Sequence, residues 1–191
     1  MARSKEYDEP EVLDKAMRLF WEQGYEKTSM TDLVDHMGIH RRSLYDAFGD
    51  KRTLFLKALD RYGSFIAGNL KAGIKQAETA ADALRFVFKY AIDDKEGCPS
   101  GCLLVSSAVE LAARDEEADA KTVHGFESGE ELMAGIIAWG RQNGEFTSAV
   151  AAKELAESLH NALLGIRVLS RTSVSREKLY RIVDVSMGLL R

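Results

Sequence analysis

Proline is nearly absent from this 191-residue chain: Pro10 and Pro99 are the two examples, and the long stretches between them carry nothing that must stop a helix. Cysteine is as scarce. Cys98 and Cys102 stand four apart, Pro99 and Gly101 deny them helical i,i+4 geometry, and an obligatory structural disulfide is not expected in a reducing compartment. No apolar run approaches the roughly 18 residues of a membrane span. The opening MARSKEYDEP lacks the apolar centre of a secretory signal, so a cytoplasmic chain without membrane contact is expected. An excess of positive charge is missing too. Lys and Arg number 26 against 30 Asp and Glu, for a formal charge of −4, and residues 1–52 hold nine basic against eleven acidic side chains. Bulk charge therefore cannot hold this chain to nucleic acid, and any such contact must rest on a local patch.

Signatures of catalysis are equally hard to find. There is no glycine loop to cradle phosphate, no nucleophile elbow and no triad that the sequence can place. His36 and His40 are four apart, but Gly38 lies between them and no glutamate follows the first, while His124 and His160 are isolated. Neither an enzyme nor a metal or cofactor site is expected.

What the chain does have is the stretch Thr28–Phe55, TSMTDLVDHMGIHRRSLYDAFGDKRTLF. Ser29 and Asp32 can cap a helix on which Met30, Leu33, Val34 and Met37 share a face. Gly38 permits the positive backbone angle that ends it, Ile39 plugs the corner, and Leu44, Ala47 and Phe48 face inward from a second helix. His40, Arg41, Arg42, Ser43 and Tyr45 are left outward at the start of that second helix. All are donors, and the two guanidinium forks match guanine edges or phosphate oxygens. Asp50 caps a third helix that opens with Lys51 and Arg52.

At Thr28, the Met37-Gly38-Ile39 turn, Ser43-Leu44-Tyr45, Phe48, Lys51, Leu54 and Phe55, in order and without a gap, the chain resembles the TetR family of bacterial transcriptional regulators. The resemblance covers roughly the first quarter of the chain and implies a homodimeric repressor on double-stranded operator DNA, released by a small-molecule inducer. Arg42 departs from the pattern, because many members carry a small residue there, often glycine. Base contacts are assigned to Arg41, Arg42 and Ser43, with His40 as a further candidate, and phosphate contacts to Thr28, Tyr45 and Lys51.

The remainder reads as helix after helix, about nine in all, which makes the expected fold all-α: a three-helix DNA-binding bundle over 1–52 and a larger helical ligand-binding and dimerisation domain over 53–191. Helices are expected at about 9–23, from Asp50 for about 25 residues, at 80–92, from Cys102, at 116–142, at 149–170 and at 176–190. The segment 93–101 breaks the pattern. The apolar sets of the last two helices, including Leu159, Leu163, Ile166, Ile182 and Val183, are wider than one intrachain contact requires. A four-helix dimer seam is the economical reading, and the resemblance implies the same.

Candidates to line a ligand pocket are Phe65, Phe86, Tyr90, Cys102, Ser106, Glu110, Trp139 and Asn161. Cys102 invites three readings: an inert buried thiol, a reactive thiol favoured by a helix N-terminus, or a soft-metal ligand. Some members of the resembled family with a comparable Gly-Cys-Leu-Leu element are similar to redox or electrophile sensors, so a repressor switched through Cys102 stands as an alternative. A helical small-molecule-binding protein without DNA binding is another.

Overall fold

The computed structural model describes residues 7–93 and 97–191. Residues 1–6, part of the segment read for a leader, and 94–96, inside the expected break, lie outside them. Nine α-helices and a closing 3-10 turn make up the described residues, with no strand among them. Helix α1 (Glu9–Gln23) begins where the Asp8 carboxylate accepts the Glu11 N–H at 3.2 Å, with Pro10 in the first turn, where a missing donor costs little. Helix α2 (Met30–Met37) starts with a reciprocal cap: Asp32 N–H donates to Ser29 Oγ at 3.1 Å and Ser29 N–H to the Asp32 carboxylate at 2.8 Å. Gly38 (φ 69°, ψ 32°) ends it in the left-handed region that a Cβ disfavours, and Ile39 is buried in the corner, as the pattern requires. Helix α3 (Arg41–Phe48) follows, then α4 (Lys51–Ile74), whose cap Asp50 accepts Thr53 N–H at 2.7 Å.

At 24 residues, α4 is a rod of about 36 Å, long enough to leave the small N-terminal bundle. Beyond it come α5 (Ala80–Ile92), α6 (Leu103–Leu111), α7 (Glu116–Gln142), α8 (Ala152–Leu169) and α9 (Arg176–Met187), then the 3-10 turn Gly188–Leu190. The ends of the last pair differ from the sequence expectation for a local reason. Thr147 and Ser148 donate their N–H groups to Leu190 O at 3.0 and 3.2 Å, which pins the connector extended before α8 and meets the chain end where it tightens out of α-helix.

Two apolar cores result. The first joins α1–α4 to Cys102, Leu103 and Leu111 of the α6 segment and to Ala118, and the second joins α5, α7, α8 and α9. Packing of the N-terminal bundle therefore does not stop at residue 52: α6 touches α1, α4, α7 and α8 and belongs to both halves.

Candidate nucleic-acid interface and internal cavity

On α3 the inward side chains Leu44 and Phe48 are buried, while Arg41, Arg42 and His40 are exposed. The Arg42 side chain is 93 % exposed and its 3.7 Å approach to Asp46 is a loose i,i+4 pair, so its fork is available to a partner. Arg41 leans over the Tyr45 ring at 5.9 Å, and Tyr45 itself is 44 % exposed, high for an aromatic side chain. No side chain caps the N-terminus of α3, although Asp8, Ser29 and Asp50 cap those of α1, α2 and α4. Lys51 is half-buried, its ammonium 4.2 Å from the centre of the Tyr25 ring. Ser43 is half-buried and its carbonyl accepts the Tyr7 hydroxyl at 3.3 Å.

Thr28 is the exception among the expected contacts. Its side chain is fully buried and its hydroxyl donates to Gly24 O at 2.6 Å, which closes the α1–α2 connection from inside. A phosphate cannot reach that hydroxyl, so Thr28 braces the head instead of anchoring DNA.

Polar ties bind this head to the rest. The Arg52 guanidinium grips the Asp115 carboxylate through two bonds of 2.6 and 2.9 Å and reaches Glu117 at 3.1 Å, fastening the start of α4 to the start of α7. That grip, with the α7 N–H groups, holds the Asp115 carboxyl down at about 2. Glu110, on the last turn of α6, accepts Glu26 N–H at 2.9 Å. Arg171, beyond α8, donates to Trp21 O and Glu22 O at 3.4 and 2.8 Å, at the carbonyl end of α1. Arg61 on α4 holds Asp14 of α1 at 2.8 Å, and this bond lowers the Asp14 pKa.

The body holds a partly open cavity of about 480 Å³, the size of a small-molecule site. Its walls come from α4 (Leu59, Ile66, Leu70), α5 (Val87), the start of α6 (Cys102, Leu104), α7 (Phe126, Leu132, Met133) and α8 (His160, Leu163, Arg167). Asp60 and Lys121, paired at 2.7 and 2.8 Å, also line it. Of the eight side chains expected from sequence, Cys102 alone lines this space. Phe65 turns to Trp21, ring centres 6.5 Å apart, leaving its neighbour Ile66 to the cavity. Phe86 lies on the bare backbone of Gly73, where a Cβ would come within 1.9 Å of the ring. Tyr90 sits under the Arg167 guanidinium at 5.7 Å. Ser106 is bonded to Arg171, Glu110 to the head, Trp139 packs against the second core, and Asn161 is exposed.

His160 and Arg167 were missed. They fall at i and i+7 with Leu163 between at i+3, which is one helical face, and that spacing was the available signal. Burial lowers the His160 pKa, and the nearest carboxylate, on Glu130, is 3.7 Å from Nδ1. The dimer candidates need correcting as well: Leu159, Ile166 and Val183 are 0 %, 1 % and 2 % exposed, consumed by their own subunit's core. Leu163 lines the cavity and Ile182 packs partly on the second core. Outward, α8 presents Asn161, Gly165 and Val168 beside the charged Lys153, Glu154 and Glu157, and α9 presents Val185 beside Arg181 and Asp184, with Leu189 exposed in the closing turn.

A helix-turn-helix head with donors exposed on its second helix, built onto an all-helical body with a partly open cavity, defines a transcriptional regulator of the helix-turn-helix class. Residues 12–58 match the family model described as "Bacterial regulatory proteins, tetR family", and residues 80–185 match "Tetracyclin repressor-like, C-terminal domain". The chain belongs to the tetR family, a family of transcriptional regulators. It is 32 % identical over 200 aligned residues, all of both chains, to the uncharacterized HTH-type transcriptional regulator YezE of Bacillus subtilis (strain 168). To the HTH-type transcriptional repressor ComR of Escherichia coli (strain K12) it is 30 % identical, over 98 % of this chain and 90 % of the other. A solved cysteine mutant of the TetR family transcriptional regulator CifR, complexed with 26-bp double-strand operator DNA, matches it with a TM-score of 0.87 at 25 % identity, over all of both chains. No helix among the described residues is long and apolar enough to cross a membrane.

Proposed function

We propose that this chain is a repressor that binds a palindromic operator as a homodimer and releases it when a small molecule fills the cavity. The observation that carries the reading is α6, which lines the cavity at its cap Cys102 and at Leu104 and carries on its last turn Glu110, bonded to the backbone of the reading head. A ligand that displaces α6 or α4 thus pulls on the elements that position α3. Residues 1–52 form the head in this reading and 53–191 the responding body. Arg41, Arg42 and Ser43, with His40, read bases, while Tyr45 and Lys51 meet phosphates; the uncapped N–H groups at the start of α3 suit the same anion. The dimer seam uses the outward face of α8 and α9, around Gly165, Val168 and Val185.

DNase footprinting on the DNA flanking the protein's own gene tests this. Protection of two inverted half-sites about one helical turn apart or a multiple of that, lost with a cavity ligand, is expected. A protein that binds ligand but protects no DNA would instead be a binding protein without an operator. Cys102, lining the cavity, supports a second reading in which an oxidant or alkylating agent is the signal. Under it, Cys102→Ser keeps operator binding and ignores the agent, and Cys98→Ser still responds; an unmodified wild-type thiol after hours of exposure would sink it.

A further inference from the structure

We propose that the cavity is an acid-binding site, made for a molecule with an apolar body and one carboxylate, whose counterion is Arg167. The inference rests on the ligand-responsive reading above and adds the chemistry of the ligand. Arg167 is 9 % exposed, in the last turn of α8, and lines the cavity wall. Among the described residues its guanidinium donates one hydrogen bond, from Nη1 to Gly101 O at 3.3 Å, and lies 5.7 Å from the centre of the Tyr90 ring. Five N–H donors are thus served by a single carbonyl and a ring face.

Among the described residues no carboxylate comes within ion-pair distance of it. Asp60 is paired with Lys121 at 2.7 Å, and Asp93, which accepts the Tyr180 hydroxyl at 2.7 Å and lines a small neighbouring pocket with Arg167, makes no ion pair with it. A guanidinium keeps its charge inside a protein, and a buried charge without a counterion is costly unless something supplies one. Gly101 O is a partial dipole and Tyr90 a quadrupole; neither carries a full negative charge, and none of the other described residues supplies one to the guanidinium.

The rest of the wall decides the remainder of the ligand. The Asp60–Lys121 pair is neutral as a unit, and burial favours the uncharged imidazole of His160. Around them stand Leu59, Ile66, Leu104, Phe126 and Leu132. One cation without an ionic partner among the described residues, on a wall that is mostly apolar, suits a single planar anion, which a carboxylate offers to the guanidinium fork through two parallel bonds.

Calorimetry on the purified full-length protein at neutral pH tests the proposal with decanoate, 1-decanol and decanamide, extended to hexanoate, dodecanoate and phenylacetate. Decanoate is expected to bind about tenfold or more tightly than the two neutral analogues, the scale of one charge-assisted hydrogen-bonded contact. Arg167→Met, which removes the charge and keeps the stem, should bring acid and alcohol within about twofold of each other or reverse their order. Should that variant fold poorly, Arg167→Lys keeps the charge without the fork, and must still prefer decanoate, more weakly than wild type.

Equal affinity for decanoate and decanol in the wild type, an acid preference that survives Arg167→Met, or no binding by any carboxylate of the series would each overturn the proposal. Operator release separates it from the reading beneath. Carboxylates that bind with the expected preference and leave the operator complex intact uphold the acid site and remove the repressor switch. Neutral molecules that fill the cavity and release the operator as well as acids do the opposite.

Discussion

Arg42 and Lys51 are near neighbours in sequence and serve different ends in this account. A side chain 93 % exposed on the helix that enters the groove can read a base edge, so Arg42→Ala should relax preference at one position per half-site, at a cost of about 1–3 kcal/mol. Lys51→Ala should weaken binding to all sequences alike and make the salt dependence shallower. Binding titrations against a set of single-base operator variants at several salt concentrations check both; a swapped pattern would exchange the roles. His160 supports a prediction in pH. Burial lowers its pKa, so the folded state prefers the neutral ring, and the stability it contributes is full above about 6.5 and lost as pH falls through the lower folded value. Melting temperature should therefore drop between pH 7.5 and 5.5 by more in wild type than in His160→Gln, and identical drops would assign the pH response elsewhere. At this scale the sequence was readable wherever chemistry is local. Ser29, Asp32 and Asp50 announce caps by type and spacing, whereas Thr28 looks like a surface donor until the fold turns its hydroxyl onto Gly24 O.

Helices were legible as elements because their periodic faces and stop signals lie within a few residues of one another: α5 and α7 run over the spans their patterns require. Which side of a helix faces which neighbour is long-range information. Aromatic residues such as Phe86 and Trp139 declare burial and not direction, and the close approach of Phe86 to Gly73 depends on two elements that the sequence does not orient. The same limit produced the dimer set. The wide apolar stripe on α8 suggests a seam from sequence, yet Leu159 and Ile166 fill the subunit's own core and Leu163 the cavity wall. The side to test is the outward one, where Val168 is 50 % exposed. Val168→Glu should leave the fold intact and give monomers in sedimentation, because a seam there would have to bury an unpaired carboxylate. Unaltered dimers would move the interface off this face of α8.

Across the whole molecule, the head and body are joined by apolar packing through α6 and by a few charged ties, of which the Arg52 grip on Asp115 and Glu117 fastens the start of α4 to the start of α7. The Asp115 carboxyl, held at about 2, gives the tie its full strength above about pH 4 and loses it as pH falls toward 2. Asp115→Asn keeps a good helix cap and removes the charge. Operator affinity should change little, while the response to a cavity ligand should shrink; a full response in this variant would route the signal through α6 alone. The account stands on coupling between cavity and head, and coupling is reciprocal. The most direct measurement is the affinity of one cavity ligand for the protein, free and saturated with operator, beside operator affinity with and without that ligand. Both ratios should be equal and lie at about 5–150-fold, each partner weakening the other. Ligand affinity unchanged by operator would contradict it.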